Sequence, residues 1–325
     1  MATAADGGRG PGPPSVGASI DTGSNSVHLL VATVADHSTE AIADESVFLG
    51  LGAAVDERAA LGADRREALL VALDGYVSRA RELGADTVTI VGTEPLRRAG
   101  DAARVVRDVE ARLGLTLHVL THEEEGYLTL LGATGGHAVE QETLVVDVGG
   151  GSSELAIVAP GAAPTAVGLR LGCRRLTDQF GTHDPIRPDE IEEMRRVARE
   201  AVAGGTPTAS PGEVVAVGGT ASNLLKVLPE RAEQAHLDRD DLRRAIALLG
   251  EDTAAAASAR YGVNPVRARI LPAGAVIVDA ILERYGKVDL RVSEGGIREG
   301  AILAAARAGS AWRDRLPMLV QGWPS

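Results

Sequence analysis

The chain has 325 residues, 45% of them apolar, which exceeds the usual size of one hydrophobic core and predicts two globular domains. A formal charge of −12 excludes broad electrostatic attraction to nucleic acid or to an anionic membrane, since both partners need a basic field. Two Phe, two Trp and four Tyr are too few for an aromatic base-stacking platform, the single Cys173 excludes an internal disulfide, and no long apolar run or signal-like segment occurs, so a cytoplasmic location is expected.

Residues 1–14, mostly Ala, Gly and Pro, read as a disordered leader. Residues 16–48 alternate apolar and polar positions in three strand-like runs, and a helix is expected over about 64–83. Strand 87–91, helix 101–113, strand 115–120 and helix 122–134 then complete a first domain, 15–134. A second domain, 135–325, opens with strands at 143–147, 153–158 and 164–170, after a boundary at 135–142. Helix 188–203, strand 213–217, helices 220–228, 239–249 and 266–285, strand 288–292 and helix 297–308 follow. The order of three strands and then alternation occurs twice, which is a long internal repeat.

The run Asp147-Val-Gly-Gly-Gly-Ser-Ser-Glu154 follows the apolar segment from Thr143 and therefore sits at a strand end. Without side chains, the amides of Gly149, Gly150 and Gly151 can converge on phosphate oxygens, beside Ser152 and Ser153, while Asp147 and Glu154 hold a divalent cation. Alone, such a loop reads better as a glycine-rich hairpin turn with two solvated acids. A second loop of the same design changes that balance: Asp21, Gly23, Ser24, Asn25 and Ser26 again lie between two strands, and Asp21 joins the candidate metal ligands. Two related domains, each presenting a phosphate loop to a shared cleft, account for both.

Other groups are less distinctive. Arg170, Arg174 and Arg175, and Arg267 with Arg269, read as solvated faces. Arg97 differs, because it follows strand 87–91 in a loop at a sheet end, where ligands bind. Thr121 and Glu124 have capping-box spacing, which gives Glu124 a structural task; Glu125 faces another way at the domain junction, where it can take a proton from water. Complementing the helix dipole is the plainer alternative for Glu123 to Glu125.

Eight motifs in order carry a family resemblance. They are Asp-x-Gly-Ser-Asn-Ser at 21–26, Gly-Thr-x-x-Leu-Arg at 92–97, Glu-Glu-Gly-Tyr-Leu at 124–128, the 147–154 run, Leu-Gly-Cys-Arg at 171–174, Val-Gly-Gly-Thr at 217–220, Arg267 ahead of Leu-Pro-Ala-Gly at 271–274, and Ser-Glu-Gly-Gly-Ile-Arg-Glu-Gly at 293–300. Together they resemble the exopolyphosphatase and guanosine pentaphosphate phosphatase family over nearly all of residues 15–308, in a short form without its C-terminal helical phosphohydrolase domain.

The resemblance implies an α/β fold of two actin-like domains, related to sugar kinases, Hsp70, actin and ribonuclease H, with an interdomain cleft and the final helix packing back across it. It implies removal of the terminal phosphate of a phosphoanhydride chain. Glu125 would be the base and Arg97 the arginine on the reacting phosphate, with magnesium or another divalent cation on Asp147 and Glu154. Cys173, Gly219 and Thr220 would line the phosphate site with the two loops, and Arg267 would lie further along the channel. Inorganic polyphosphate is the leading substrate and guanosine pentaphosphate the alternative; a sugar kinase or actin-like ATPase, and a non-catalytic polyphosphate or alarmone sensor, are the readings from other classes. A homodimer would suit the family. The chain departs from the family at Thr121-His122, where Ser-Gly is usual, and at Gly126, where Ala is usual.

Overall fold

Residues 15–322 are described in a computed structural model of the chain; the expected leader at 1–14 lies outside them. The first half contains β1 (Ser15–Thr22), β2 (Ser26–Ala35), β3 (Ser38–Phe48), α1 (Leu51–Arg58), α2 (Gly62–Glu82), β4 (Thr87–Gly92), α3 (Glu94–Arg98), α4 (Ala102–Leu113), β5 (Leu117–Val119) and α5 (His122–Thr134). The second half begins with β6 (Thr143–Val148), β7 (Ser153–Val158), β8 (Thr165–Leu169), α6 (Cys173–Phe180), α7 (Pro188–Gly205), β9 (Glu213–Val217) and α8 (Gly218–Val227). It ends with β10 (His236–Asp238), α9 (Arg239–Glu251), α10 (Ala254–Tyr261), α11 (Pro265–Arg284), β11 (Asp289–Val292), α12 (Ile297–Ala308) and α13 (Trp312–Leu319). Among the described residues no helix is long and apolar enough to cross a membrane.

The five strands of the first sheet run in the order β3-β2-β1-β4-β5, and the six of the second in the order β10-β11-β9-β6-β7-β8. In each sheet a three-stranded antiparallel meander is joined through its first strand to a parallel neighbour: β1 to β4, and β6 to β9. This is the actin-like α/β pair, and the internal repeat has a direct structural counterpart. The central strands are covered on both faces, as parallel strands require. Ile20, Leu29, Leu69 and Ile90 form the first core, and Val146, Val214, Ile246 and Ile277 the second.

Five helices escaped the sequence pattern: α1, α3, α6, α10 and α13. None exceeds eight residues, too short for a 3.6-residue period to stand out. Strand β10 has three residues, and β5 is confined to the middle of its expected span.

A third core cluster lies between the sheets and joins Leu128 and Leu131 of α5, Val145, Ala156 and Val217 of the second sheet, and Ala301 and Ala304 of α12. Helix α5, which closes the first half of the sequence, packs on β7 and β8; helix α12 packs on β1 and β2. Each half thus lends a helix toward the other, and the two helices cross. Their seam is built from glycine: a methyl on Gly132 would come within 1.9 Å of the Gly296 carbonyl oxygen, and one on Gly300 within 1.9 Å of the Leu128 carbonyl oxygen. Backbone cannot yield as a side chain can. Gly300→Ala is therefore expected to destabilise the fold by about 2 kcal/mol or more, read from urea unfolding. Gly204→Ala, near the exposed end of α7 with nothing within 4 Å of the added methyl, should change stability by less than ~1 kcal/mol.

Candidate active site

Both glycine loops follow the first strand of their sheet and close the same four-residue turn. The Gly23 amide donates to the Ser26 carbonyl at 3.1 Å, and the Gly149 amide to the Ser152 carbonyl at 2.9 Å. The loops face one another directly. A methyl on Gly150 would stand 2.8 Å from Asn25 Nδ2, and one on Gly151 would stand 2.7 Å from Ser24 Oγ and 2.6 Å from Glu94 Oε2. Bare backbone in the second loop thus admits the first loop. The Gly149 amide is committed to its own turn, and the Gly151 carbonyl accepts from Arg175 Nε at 3.2 Å.

Several expected phosphate-site residues serve as internal supports. Ser153 Oγ donates to the Leu171 carbonyl at 2.5 Å, Thr220 Oγ1 to the Val148 carbonyl at 2.6 Å, and Ser24 Oγ to Glu94 Oε2 at 2.8 Å. Cys173 is buried beneath the loop, its amide donating to the Gly149 carbonyl at 2.9 Å, and burial pushes its thiol above the usual range. Such a thiol is a poor nucleophile. Arg267 sits over Gly219, 3.1 Å from where a methyl there would lie, and its charge acts on Asp147, Asp21 and Cys173. Its charge therefore reaches the carboxylate cluster.

The acidic groups converge from four elements. Asp21 is next to last in β1, and Asp147 is next to last in β6, directly opposite Glu154 of β7, so the last two point to the same face of the sheet. Glu125 enters from the first turn of α5, held by the capping box of Thr121 and Glu124. Arg97 of α3 binds this group: Nη1 donates to Glu125 Oε2 at 2.5 Å and to the Leu120 carbonyl at 2.9 Å, and Nη2 lies 3.6 Å from Glu154 Oε1. Burial dominates the electrostatics. It raises Asp21 to about 7, Asp147 to about 6 and Glu154 to about 8, and carries Glu125 well above its usual value despite Arg97.

Asp21 Oδ1 and both polar atoms of the Asn25 side chain are buried without a hydrogen-bond partner. Orphaned atoms beside concentrated negative charge are what a cation and a phosphate ligand would satisfy, so the residues fit a divalent metal. Among the described residues, the group able to hold a metal is His122, Glu125 and Glu154, with donor atoms all within 4.8 Å of one another. Of the expected set of Asp21, Asp147 and Glu154, only Glu154 is in that trio; the two aspartates adjoin it.

His122 and Glu94 were not assigned roles from the sequence. His122 Nδ1 lies 3.0 Å from Arg97 Nη2 and 3.2 Å from Glu154 Oε1, and burial, followed by the Arg97 charge, pushes its imidazole below the usual value. Glu94, at the start of α3, binds Ser24, Arg98 and Arg175. Arg174 and Arg175, expected on a solvated face, instead clasp the two halves. Arg174 pairs with Asp56 of α1 at 2.8 Å and Arg175 with Glu94 at 3.1 Å. Burial alone would raise Asp56, but hydrogen bonds from Arg174 and Arg98 hold it at about 2. A cavity of about 280 Å³ opens beside this clasp, lined by Glu94, Arg97, Arg98, His122, Ser152 and Arg170. Three guanidinium groups on so small a volume suit a compact anion.

This two-loop, carboxylate and arginine arrangement coincides with a match to the model of the Ppx/GppA phosphatase family over residues 30–308. The chain belongs to that family. A guanosine-5'-triphosphate,3'-diphosphate pyrophosphatase of Pseudoalteromonas atlantica is 26% identical over 307 residues, covering 89% of this chain and 58% of that protein, so the chain spans little more than half the length of that curated relative. The solved Ppx/GppA family member of Aquifex aeolicus has 27% identity and a TM-score of 0.79, covering 92% of this chain and 99% of its own. An exopolyphosphatase of Cytophaga hutchinsonii shares the fold at 22% identity, with a TM-score of 0.78 over 91% of this chain and 98% of its own.

The raised carboxylates carry a testable sign. Their folded values of about 6 to 8 exceed the ordinary 3.8 and 4.5, so the folded state holds protons that the unfolded chain has released. Their contribution to stability is complete below about pH 4 and is lost as pH rises through 6 to 8. In chelator the melting temperature should fall between pH 5 and pH 8, with a shallower slope in Glu154→Gln. A melting temperature that rises over this range in calorimetry would rule out the protonated cluster.

Proposed function

We propose that the chain is a divalent-cation-dependent phosphoanhydride hydrolase that removes the terminal phosphate of inorganic polyphosphate as orthophosphate. The observation that carries this reading is Glu125, buried yet held at 2.5 Å by Arg97, which itself lines an arginine-rich cavity. Hydrolysis of a terminal phosphoryl group needs its charge neutralised and a water aligned and deprotonated. Glu125 is the candidate base, and burial raises its pKa well above the ordinary carboxylate value, which makes it a stronger proton acceptor. Arg97 spans Glu125 and the cavity, so it can share its charge with a bound phosphoryl group. Asn25, Gly150 and Ser152 would face the terminal phosphates. Glu154 and Asp147, with Asp21 beside them, would hold a cation, magnesium being the expectation; when bound it supplies charge neutralisation at the phosphate oxygens.

Guanosine pentaphosphate is an equally supported substrate, favoured by the name of the Pseudoalteromonas relative, and every catalytic candidate serves both reactions. A non-catalytic sensor would have no use for Glu125. A cytoplasmic location agrees with either substrate.

The assay is orthophosphate release from long-chain polyphosphate, guanosine pentaphosphate and ATP, each with and without magnesium. Glu125→Gln keeps the shape and removes the base, so turnover should fall roughly 100-fold or more while substrate binding persists. Arg97→Ala should depress turnover on every substrate. Near-wild-type turnover in Glu125→Gln would sink the assignment of the base.

A further inference from the structure

Of the three guanidinium groups that line the cavity beside the clasp, two are already committed within the protein. Arg97 donates to Glu125, to the Leu120 carbonyl and toward His122, and Arg98 pairs with Glu94 and Asp56. Arg170 has no hydrogen bond or ion pair with any described residue, so its charge at the cavity is uncompensated. The acid on the lining cannot supply the missing partner, because Glu94 is taken by Ser24, Arg98 and Arg175. An exposed arginine without a partner is ordinary on an open surface. On the wall of a cavity that two other arginines share, it adds like charge to like charge, an arrangement that an anion would relieve.

The backbone beneath Arg170 is firmly set. It follows β8 directly, between the buried Leu169 and Leu171, and the Leu171 carbonyl accepts from Ser153 Oγ at 2.5 Å. Leu169 is paired with Ser153 in the β7–β8 register, so Arg170 emerges beside Ser152 of the glycine loop, which lines the same cavity. Two residues on, a methyl at Gly172 would stand 2.5 Å from the Gly150 carbonyl oxygen. The segment is thus laced to the loop while the Arg170 residue itself is exposed. The side chain of Arg97 is 15% exposed and that of Arg98 is 24% exposed, so the arginines run from the depth of the cavity to its mouth, with Arg170 outermost.

We propose that Arg170 is a specificity-determining residue: it binds a phosphate group preceding the terminal one, so that the cavity takes chains of three linked phosphates in preference to orthophosphate. Arg97, against Glu125, lies where the terminal group reacts, and Arg170 lies where the chain leaves. A guanidinium can give two parallel hydrogen bonds to one phosphate. Since that phosphate is not the one attacked, the contact is as strong in the ground state as in the transition state, and it acts on KM far more than on kcat. The inference rests on reading this cavity as the phosphate-chain site of the proposed hydrolase, and concerns how the chain is recognised.

The test is calorimetry on the full chain with magnesium present, using a triphosphate with imido bridges, which does not turn over, and separately orthophosphate. Arg170→Ala should weaken the imido triphosphate roughly 10-fold and orthophosphate by less than about 2-fold. Arg170→Lys keeps the charge without the fork and should recover part of the loss, and the difference between wild type and Arg170→Ala should shrink at high salt. In steady state, Arg170→Ala should raise KM for polyphosphate about 10-fold while kcat falls less than about 3-fold. Unchanged affinity for the imido triphosphate, an equal loss for orthophosphate, or a fall in kcat without a rise in KM would each overturn the proposal. Orthophosphate release with a KM indifferent to Arg170 refutes the recognition role and leaves the hydrolase reading standing. Arg170-dependent binding of the imido triphosphate, in a protein that releases phosphate from no substrate, refutes the hydrolase reading and leaves the binding role standing.

Discussion

Four carboxylates buried between two sheets are the constraint on which this structure turns. Asp21, Glu125, Asp147 and Glu154 would repel one another if all were ionised, and burial raises each. Arg97, Arg267 and Arg298 oppose them, but each has other obligations. Arg97 also donates to the Leu120 carbonyl, Arg267 is packed over Gly219, and Arg298 pairs with Asp44 at 2.5 Å. Protonation relieves the remaining charge in the protein alone, and a cation would relieve it otherwise. Either way the cluster costs stability that the rest of the fold must offset.

The offset comes from duplicated architecture and from a rigid middle. Repetition of the meander places two acid-tipped strands, β1 and β6, with their following loops toward each other. Their glycines let the loops approach to van der Waals distance and closer contact than side chains would allow. The crossing of α5 and α12 fixes Glu125 to the same frame, since the Gly132 and Gly300 contacts leave no room for sliding. At the outer edge, by contrast, Asp56, Glu94, Arg174 and Arg175 join the halves through ion pairs that are partly exposed.

Much of this was legible in the sequence because it depends on local pattern. Alternation revealed the meanders, strand-end position marked both glycine loops, and capping-box spacing separated the tasks of Glu124 and Glu125. Residues whose role depends on distant partners were not legible. Glu94 reads as an ordinary acid beside a proline until Ser24 and Arg175 arrive from elsewhere. Arg174 and Arg175 look like a solvated pair until Asp56, over a hundred residues away, lies against them. Glycine is ambiguous for the same reason: sequence shows that a side chain is missing, but not whether a ligand or another loop fills the space. Gly150 and Gly151 lie against the opposing loop, a contact that only the tertiary structure reveals.

The two departures from the family pattern on α5 illustrate how such contacts work. His122 stands where the resemblance leads one to expect glycine, and Gly126 where it leads one to expect alanine. On β8 the facing positions are Gly168 against His122 and Ala166 against Gly126, where a methyl at 126 would meet the Ala166 methyl at 2.6 Å. Four residues along a helix advance roughly 6 Å, and two along a strand roughly 6.7 Å, so the pairs lie in register across one helix and strand interface. On each surface a glycine leaves room for the larger residue facing it. The ring beside Glu154 is consequently accommodated by its own surroundings, and the change at 122 need not disturb the backbone that carries Glu125.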